Sequence, residues 1–316
     1  MAKYYNTSSL LLIFFNSIFL VHFVNPFPSI QELVKDAIFH SSNIYISNRN
    51  VYFINCTFIN TFLNAEGNVG QELLFHNGKW KNTIEDYSKK HRPQILIINY
   101  NNIRFTNIVY KASIMQLKKI KTLSISQCLF SRIMGIIMNI EYAEHMSFKN
   151  SIVSYIKTPD VTSGGIPSAV INIQHSNTTS IEKVQFHKIL GSAIKGKQLS
   201  ILKVKNSIFK DFKSTESTLT VLYNINDEQL AVILLETKFI ECTLNGAVKI
   251  IPTQRQHESA ISIKKTHSRI LVYIHIQASR FANCTTAHSG TSIVFHAFKH
   301  LNKGNYMLNI YMKVYL

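Results

Sequence analysis

The chain has 316 residues, of which 46% are hydrophobic and 16% are charged, a composition that excludes a disordered protein and requires a packed core. Lysine and arginine outnumber the acidic residues by 34 to 17, giving a formal net charge of +17, which favours attraction to anionic partners. The basic residues form no compact run and no aromatic–basic binding motif, and this argues against a nucleic-acid-binding protein.

Residues 1–25 have the features of a signal peptide. Lys3 precedes an apolar run from Leu10 to Val24 that polar residues interrupt, and the run is short for a membrane span. We therefore predict a secreted or cell-surface protein whose signal peptide is removed, with an uncleaved signal anchor as the alternative. We expect no membrane span beyond this leader.

Residues 26–42 are predicted to form an N-terminal cap. Ser29 and Glu32 fit a capping box after Pro28. The apolar residues that follow would share one face of a short amphipathic helix, namely Ile30, Leu33, Val34, Ala37 and Ile38. Such a helix would cover the first coil of a repeat array.

Residues 43–316 contain a degenerate repeat. Three segments are nearly identical: Phe53-Ile-Asn-Cys-Thr57, Phe239-Ile-Glu-Cys-Thr243 and Phe281-Ala-Asn-Cys-Thr285. A wider alignment has large apolar residues seven and five positions before an apolar anchor, and a small or apolar residue two positions before it. The anchors are Phe58, Tyr110, Phe130, Val153, Phe186, Phe209, Phe239 and Phe281.

The spacing within the repeat predicts two short strands joined by a bend. Alternating apolar residues indicate a strand, and the change to a spacing of three indicates a corner. Asparagine is common at the bend, where left-handed backbone dihedrals are needed. The bend residues are Asn55, Asn107, Gln127, Asn150, Lys183, Asn206, Glu236 and Ala278.

A second element follows several anchors, as in Gly191-Ser-Ala-Ile and Gly246-Ala-Val-Lys-Ile, and predicts another strand of the same coil. The anchor gaps at residues 58–110 and 239–281 are predicted to hold an extra coil or long loops. We therefore predict an all-β, right-handed parallel β-helix. A leucine-rich-repeat solenoid is the alternative, because residues 120–130 fit its consensus, although the long gaps break its period.

The C-terminal segment Tyr306–Leu316 reads as a strand without a cap. An uncovered edge strand favours pairing with another chain. We therefore expect either end-to-end self-association or a missing C-terminal region.

The combination of Phe-x-x-Cys/Asn elements with small-residue turns resembles the repeats of the chlamydial polymorphic outer-membrane proteins. It is also similar to related β-helix surface proteins of the pectin-lyase-like superfamily, over about residues 45–300. This resemblance implies a β-helix displayed on a surface.

No catalytic, metal-binding or cofactor-binding residues are predicted. Carbohydrate-cleaving β-helices need clustered acids, either for calcium or as acid and base. The five aspartates are widely spaced in the sequence and are expected not to pair: Asp36, Asp86, Asp160, Asp211 and Asp227. The chain is accordingly predicted not to be an enzyme.

Four cysteines, Cys56, Cys128, Cys242 and Cys284, form no CxxC pair, which argues against zinc or thioredoxin-like chemistry. We expect small buried side chains in stacked columns, with disulfides permitted. Asn-x-Ser/Thr motifs predict glycosylation at Asn177, Asn283 and Asn55.

Together these features predict a secreted scaffold or adhesion module that binds anionic glycans or surface proteins without catalysis and without a cofactor. The alternative is a carbohydrate-active β-helix enzyme, either a lyase or a hydrolase. Acidic residues that converge on one groove would favour the enzyme.

Overall fold

The computed structural model describes residues 31–47, 50–66, 71–81, 83–86, 96–159, 169–213, 218–224, 229–243, 248–253, 270–282, 284, 293–295 and 306–314. The predicted signal peptide lies outside these residues. In the described residues the chain forms 28 strands. In chain order they are β1 (Gln31–Lys35), β2 (Ile38–His40), β3 (Asn43–Ser47), β4 (Asn50–Ile54), β5 (Thr57–Ile59), β6 (Phe62–Glu66), β7 (Gln71–His76), β8 (Lys79–Lys81), β9 (Ile84–Asp86), β10 (Leu96–Asn101), β11 (Arg104–Leu117), β12 (Ile120–Ser126), β13 (Leu129–Ile140), β14 (Ala143–Lys149), β15 (Ile152–Lys157), β16 (Ala169–Ile173), β17 (Ser176–Glu182), β18 (Gln185–Leu190), β19 (Ser192–Lys197), β20 (Leu199–Lys205), β21 (Ile208–Lys213), β22 (Leu219–Asn224), β23 (Gln229–Leu235), β24 (Lys238–Thr243), β25 (Val248–Thr253), β26 (Ile270–Ala282), β27 (Ile293–Phe295) and β28 (Tyr306–Val314).

Strands of successive coils pair in parallel and build three faces. The first face runs β1, β4, β7, β10, β12, β14, β17, β20, β23, β26, β28. The second runs β2, β5, β8, β11, β13, β15, β18, β21, β24, β26. The third runs β3, β6, β9, β11, β13, β16, β19, β22, β25, β27. The predicted right-handed parallel β-helix is confirmed, and the leucine-rich-repeat alternative is wrong.

A residue with a left-handed backbone turns the chain between the first and second faces. Its φ lies between 48° and 55°, and its N–H donates to a carbonyl of the next coil, as Asn55 does to His76 at 2.9 Å. This first corner consists of Asp36, Asn55, Asn77, Asn102, Gln127, Asn150, Lys183, Asn206, Glu236 and Ala278. The predicted bend residues other than Asn107 are all found there.

A second corner, between the second and third faces, has the same backbone shape. Its residues have φ between 50° and 57° and are Ser41, Asn60, Asn107, Arg132, Tyr155, Lys188, Asp211 and Glu241. Asn107 therefore belongs to this corner. The near-identical sequence segments therefore do not occupy equivalent positions in the coil, since Asn55 lies at the first corner and Glu241 lies at the second.

The repeat alignment needs two corrections between residues 58 and 110. This gap holds an additional coil whose anchor is Trp80, and the next anchor is Phe105, because both rings are buried in register with Phe58 and Phe130. The predicted anchor Tyr110 packs against the core from its edge. Alignment on Asn107 failed because the two corners share one local pattern.

Buried side chains of successive coils stack into a continuous apolar core. Ring centroids are 4.6 Å apart for Phe105–Phe130, 4.9 Å for Phe186–Phe209 and 4.7 Å for Phe209–Phe239. Complete burial of each such ring stabilises the fold by about 1.5–3 kcal/mol. The predicted interior columns are therefore present.

The predicted N-terminal capping helix is wrong where the structure describes it. Residues 31–35 and 38–40 are strands β1 and β2, joined by Asp36 at the first corner. The spacing that imitated a helical face comes from two strands and a corner, and Leu33 and Ile38 are exposed. Parallel pairing with β4 and stacking of Phe39 on Phe58 at 5.0 Å override the helical pattern.

Within the described residues, the search for a helix long and apolar enough to cross a membrane found none.

Candidate functional site

The second corner places several chemically active side chains in one outward column. Arg132, Tyr155, Lys188, Asp211 and Glu241 occupy this corner on five successive coils. Neighbouring strands of a β-sheet are about 4.8 Å apart, so side chains on adjacent coils of this column can interact directly. We call these five residues, together with His187 and Lys210 of the adjoining strand positions, the second-corner cluster.

Two acidic side chains pair at one end of this cluster. Asp211 and Glu241 occupy the same corner position on adjacent coils, where their carboxyl groups can share a hydrogen bond. This hydrogen bond, followed by desolvation and by repulsion from Asp211, raises the pKa of the Glu241 carboxyl, whereas the charge of Lys210 lowers it. Glu241 therefore holds its proton more tightly than a free glutamate does, as expected when like charges meet at close range.

An aromatic and basic group adjoins the carboxyl pair. The Lys188 ammonium donates a hydrogen bond to the Tyr155 hydroxyl at 3.2 Å and lies 4.9 Å from the centre of its ring. His187 meets the same ring edge-on, with centroids 5.8 Å apart. The pKa of His187 is lowered by desolvation and by the nearby lysine charges, against the opposing effect of Asp211, which favours a neutral imidazole at neutral pH.

Exposed apolar side chains border the cluster along the next outward column. Met134 is 51% exposed and Leu190 is 47% exposed. Tyr155 itself is 51% exposed. The corner thus combines a proton donor, a carboxylate, basic groups and an open aromatic ring, which are the groups that bind a sugar ring and transfer a proton to it.

A third acidic side chain lies in the interior of the coil and has a different role. Glu85 is fully buried between Leu63 and Met115 of the neighbouring coils. It accepts a hydrogen bond from the buried Tyr100 hydroxyl. Because a substrate cannot reach it, this pair belongs to the core.

Asp211 stacks on a glutamate, Glu241, and not on another aspartate, while Asp36 accepts a hydrogen bond from Asn55 Nδ2 at 2.9 Å. The signal was present in the repeat alignment. Asp211 and Glu241 each follow an anchor, Phe209 or Phe239, by two positions. Residues at equal offsets in a β-helix stack, so the two acids could have been paired from sequence.

The predicted glycosylation residues fall in different settings. Asn177 is exposed in β17. Asn55 is exposed rather than buried, but its side-chain amide is hydrogen-bonded to Asp36. Asn283 lies outside the described residues. Over the ranges that the structure describes, no group of three or more histidine, cysteine or acidic residues is arranged to hold a metal ion.

Comparisons with known proteins gave one match of interest. No family model matches the chain, and no curated protein matches it. Among solved structures, the chain is similar to the catalytic domain of a GH87 alpha-1,3-glucanase in complex with tetrasaccharides, with 8% sequence identity and a TM-score of 0.38. The match covers 90% of this chain and 62% of that one.

The predicted function is corrected here. The non-enzymatic scaffold or adhesion module, and with it the prediction that the chain is not an enzyme, does not stand. The likeness itself concerns the fold and assigns no activity to this chain. The prediction also loses its premise, since Asp211 and Glu241 converge.

Proposed function

We propose that the chain is a secreted carbohydrate-active β-helix that hydrolyses a glycan at the second corner. The observation that carries this proposal is the stacking of Asp211 and Glu241 at the same corner of adjacent coils, where Asp211 raises the pKa of the Glu241 carboxyl. A carboxyl group whose pKa is raised keeps its proton to a higher pH and can donate it as a general acid.

In the proposed reaction, Glu241 donates its proton to the glycosidic oxygen as the bond to the sugar breaks. The Asp211 carboxylate stabilises the positive charge that develops on the ring, and a water molecule then adds to the ring carbon while one of its protons returns to the Glu241 carboxylate. Asp211 also keeps the proton on Glu241 before the reaction, because it raises the pKa of that carboxyl.

Tyr155 and Lys188 would hold the substrate on the same column. Tyr155 lies two coils from Asp211, a separation of about 10 Å, so a sugar stacked on its ring would belong to the same chain as the cleaved unit. Arg132, Lys188 and Lys210 surround this path with positive charge, which favours a glycan that carries acidic groups.

The test measures the release of reducing ends from polysaccharides that carry uronate, sulfate or no charge. Glu241→Gln and Asp211→Asn should lower the rate by at least about 100-fold. Glu236→Gln is the matched control, because Glu236 occupies the first corner of the same coil with a similar φ. Absence of release by the unaltered chain, or full activity of Glu241→Gln, would contradict the proposal.

Secretion is part of the same proposal. It is supported by the predicted signal peptide and by the exposure of Asn177. In a glycosylating host, enzymatic removal of N-glycans should reduce the mass of the secreted chain, and Asn177→Gln should abolish this change at that site. An intracellular, unprocessed chain would argue against it. The resemblance to pectin-lyase-like surface proteins remains a prediction.

A further inference from the structure

Two cysteines occupy equivalent positions on adjacent coils at the second corner. Strands β24 and β26 pair Ile240 with Ala282, and Cys242 and Cys284 each lie two residues further along. The Cys242 thiol is 3.8 Å from the Phe209 carbonyl oxygen, and the Cys284 thiol is 3.4 Å from the corresponding Phe239 oxygen one coil later. The two thiols therefore follow one another in a single column.

We propose that Cys242 and Cys284 form a disulfide that clasps these two coils together in an oxidising compartment. Stacked residues of neighbouring strands have Cα atoms about 4.8 Å apart, which lies within the range that a disulfide spans.

The two thiols differ in exposure and in pKa, and these differences determine which thiol reacts first. Cys242 is fully buried, whereas Cys284 is partly exposed. The hydrogen bond with the Cys242 side chain lowers the pKa of the Cys284 thiol to about 7, and the same contact, together with burial, raises the pKa of Cys242. Cys284 is thus the accessible thiolate that an oxidant meets first.

The oxidant is an external disulfide, either of a small thiol or of an oxidoreductase. The Cys284 thiolate attacks one of its sulfur atoms, forms a mixed disulfide and releases the first thiol. Cys242 then loses its proton, attacks the Cys284 sulfur and releases the second thiol. Two protein thiols are oxidised while one external disulfide is reduced to two thiols.

The remaining cysteines provide an internal control. Cys56 and Cys128 share the first corner but are separated by the coils of Gly78 and Ile103. Three coil spacings amount to about 14 Å, which is too far for a disulfide. Burial also raises the pKa of the Cys128 thiol to about 12, so Cys128 should remain reduced.

The experiment treats the purified full chain with oxidised glutathione, then alkylates it after denaturation and maps the peptides by mass spectrometry. We expect Cys242 and Cys284 to be joined within one chain, while Cys56 and Cys128 are alkylated. Alkylation of all four thiols, a stable glutathione adduct on Cys284 or a link between chains would overturn the proposal. This readout requires no variant.

Thermal unfolding gives a second measurement. Oxidation should raise the midpoint on the order of 5 °C, and a reductant should reverse this. Cys284→Ser should remove the redox dependence, whereas Cys128→Ser should retain it. A redox-dependent shift of the unfolding midpoint that persists in Cys284→Ser would contradict the proposed disulfide.

Discussion

The two corners of the coil have the same backbone but different side chains. The first corner carries asparagine on five coils, where neighbouring side chains bond to one another, as Asn102 Nδ2 does to Asn77 Oδ1 at 2.8 Å. The second corner begins with the polar residues Ser41, Asn60 and Asn107 and then changes to arginine, tyrosine, lysine and two acids.

A left-handed backbone is tolerated by asparagine and is unfavourable for larger side chains. Tyr155 and Arg132 therefore adopt a strained conformation, and so do Lys183 and Glu236 at the first corner. Strain is thus common to both corners, and what distinguishes the central second corner is the set of reactive side chains that it displays.

The largest predicted effect concerns the core that both corners share. Phe209 is fully buried, lies between Asn206 and Asp211 of the two corners, and stacks on Phe186 and Phe239. Phe209→Ala should lower the free energy of unfolding by about 3–5 kcal/mol, measured by chemical denaturation. Tyr155→Ala, at the exposed corner, should change it by about 0.5 kcal/mol or less. Similar losses of unfolding free energy in the two variants would show that the exposed second corner stabilises the fold as much as the core does.

The second prediction concerns space beside the first corner. Gly78 follows Asn77, and a Cβ added there would overlap the buried Trp80 ring. Gly78→Ala should therefore destabilise the fold by about 1–3 kcal/mol through overpacking. Cys128→Ala is the control at the same column position, and it should be tolerated better because that coil already accommodates a side chain. Equal thermal stability of Gly78→Ala and the parent would refute this explanation.

The third prediction exchanges side chains between the corners. Asn102→Ala should cost about 1 kcal/mol, because it removes the bond to Asn77 and an amide suited to a φ of 54°. Arg132→Asn should instead stabilise the fold by up to about 1 kcal/mol by easing a φ of 56°. Urea denaturation of both variants measures whether each substitution stabilises or destabilises the fold. Destabilisation by Arg132→Asn would mean that the arginine makes contacts worth more than the strain.

Much of the fold could be predicted from the sequence because a β-helix repeats its inward pattern. Buried anchors such as Phe130 and Phe186 must recur once in every coil. The coil at Trp80 was missed although it fits the repeat, since Leu73 and Phe75 stand seven and five positions before Trp80 and the small Gly78 stands two before it. The N-terminal strands were missed because a strand, a corner and a second strand imitate helical spacing when only a few residues are considered.

The candidate site was harder to predict because it depends on which coils are adjacent. Asp211 and Glu241 are 30 positions apart, and their contact follows only when each is assigned to the second corner. The bend column that was recognised belonged mainly to the first corner. A separate alignment of the positions two after each anchor would have placed Tyr155, Lys188 and both acids in one column.

The smallest predicted effect distinguishes a carboxyl pair from an ordinary exposed acid. Folding raises the pKa of Glu241, mainly through its hydrogen bond with Asp211. The folded protein therefore holds this proton more tightly than the unfolded chain does. Its stabilising contribution is complete below the unfolded pKa, about 4.3, and is lost as the pH rises through the folded pKa.

Glu241→Gln removes this dependence, so its stability relative to the parent should improve as the pH rises from about 4 to about 8. Urea midpoints measured across that interval provide the comparison. Glu236→Gln removes one charge from the first corner of the same coil and controls for net charge. A difference that is constant with pH, or that favours the parent at high pH, would show that folding does not raise the pKa of Glu241, and the general acid assigned to Glu241 would fail with it.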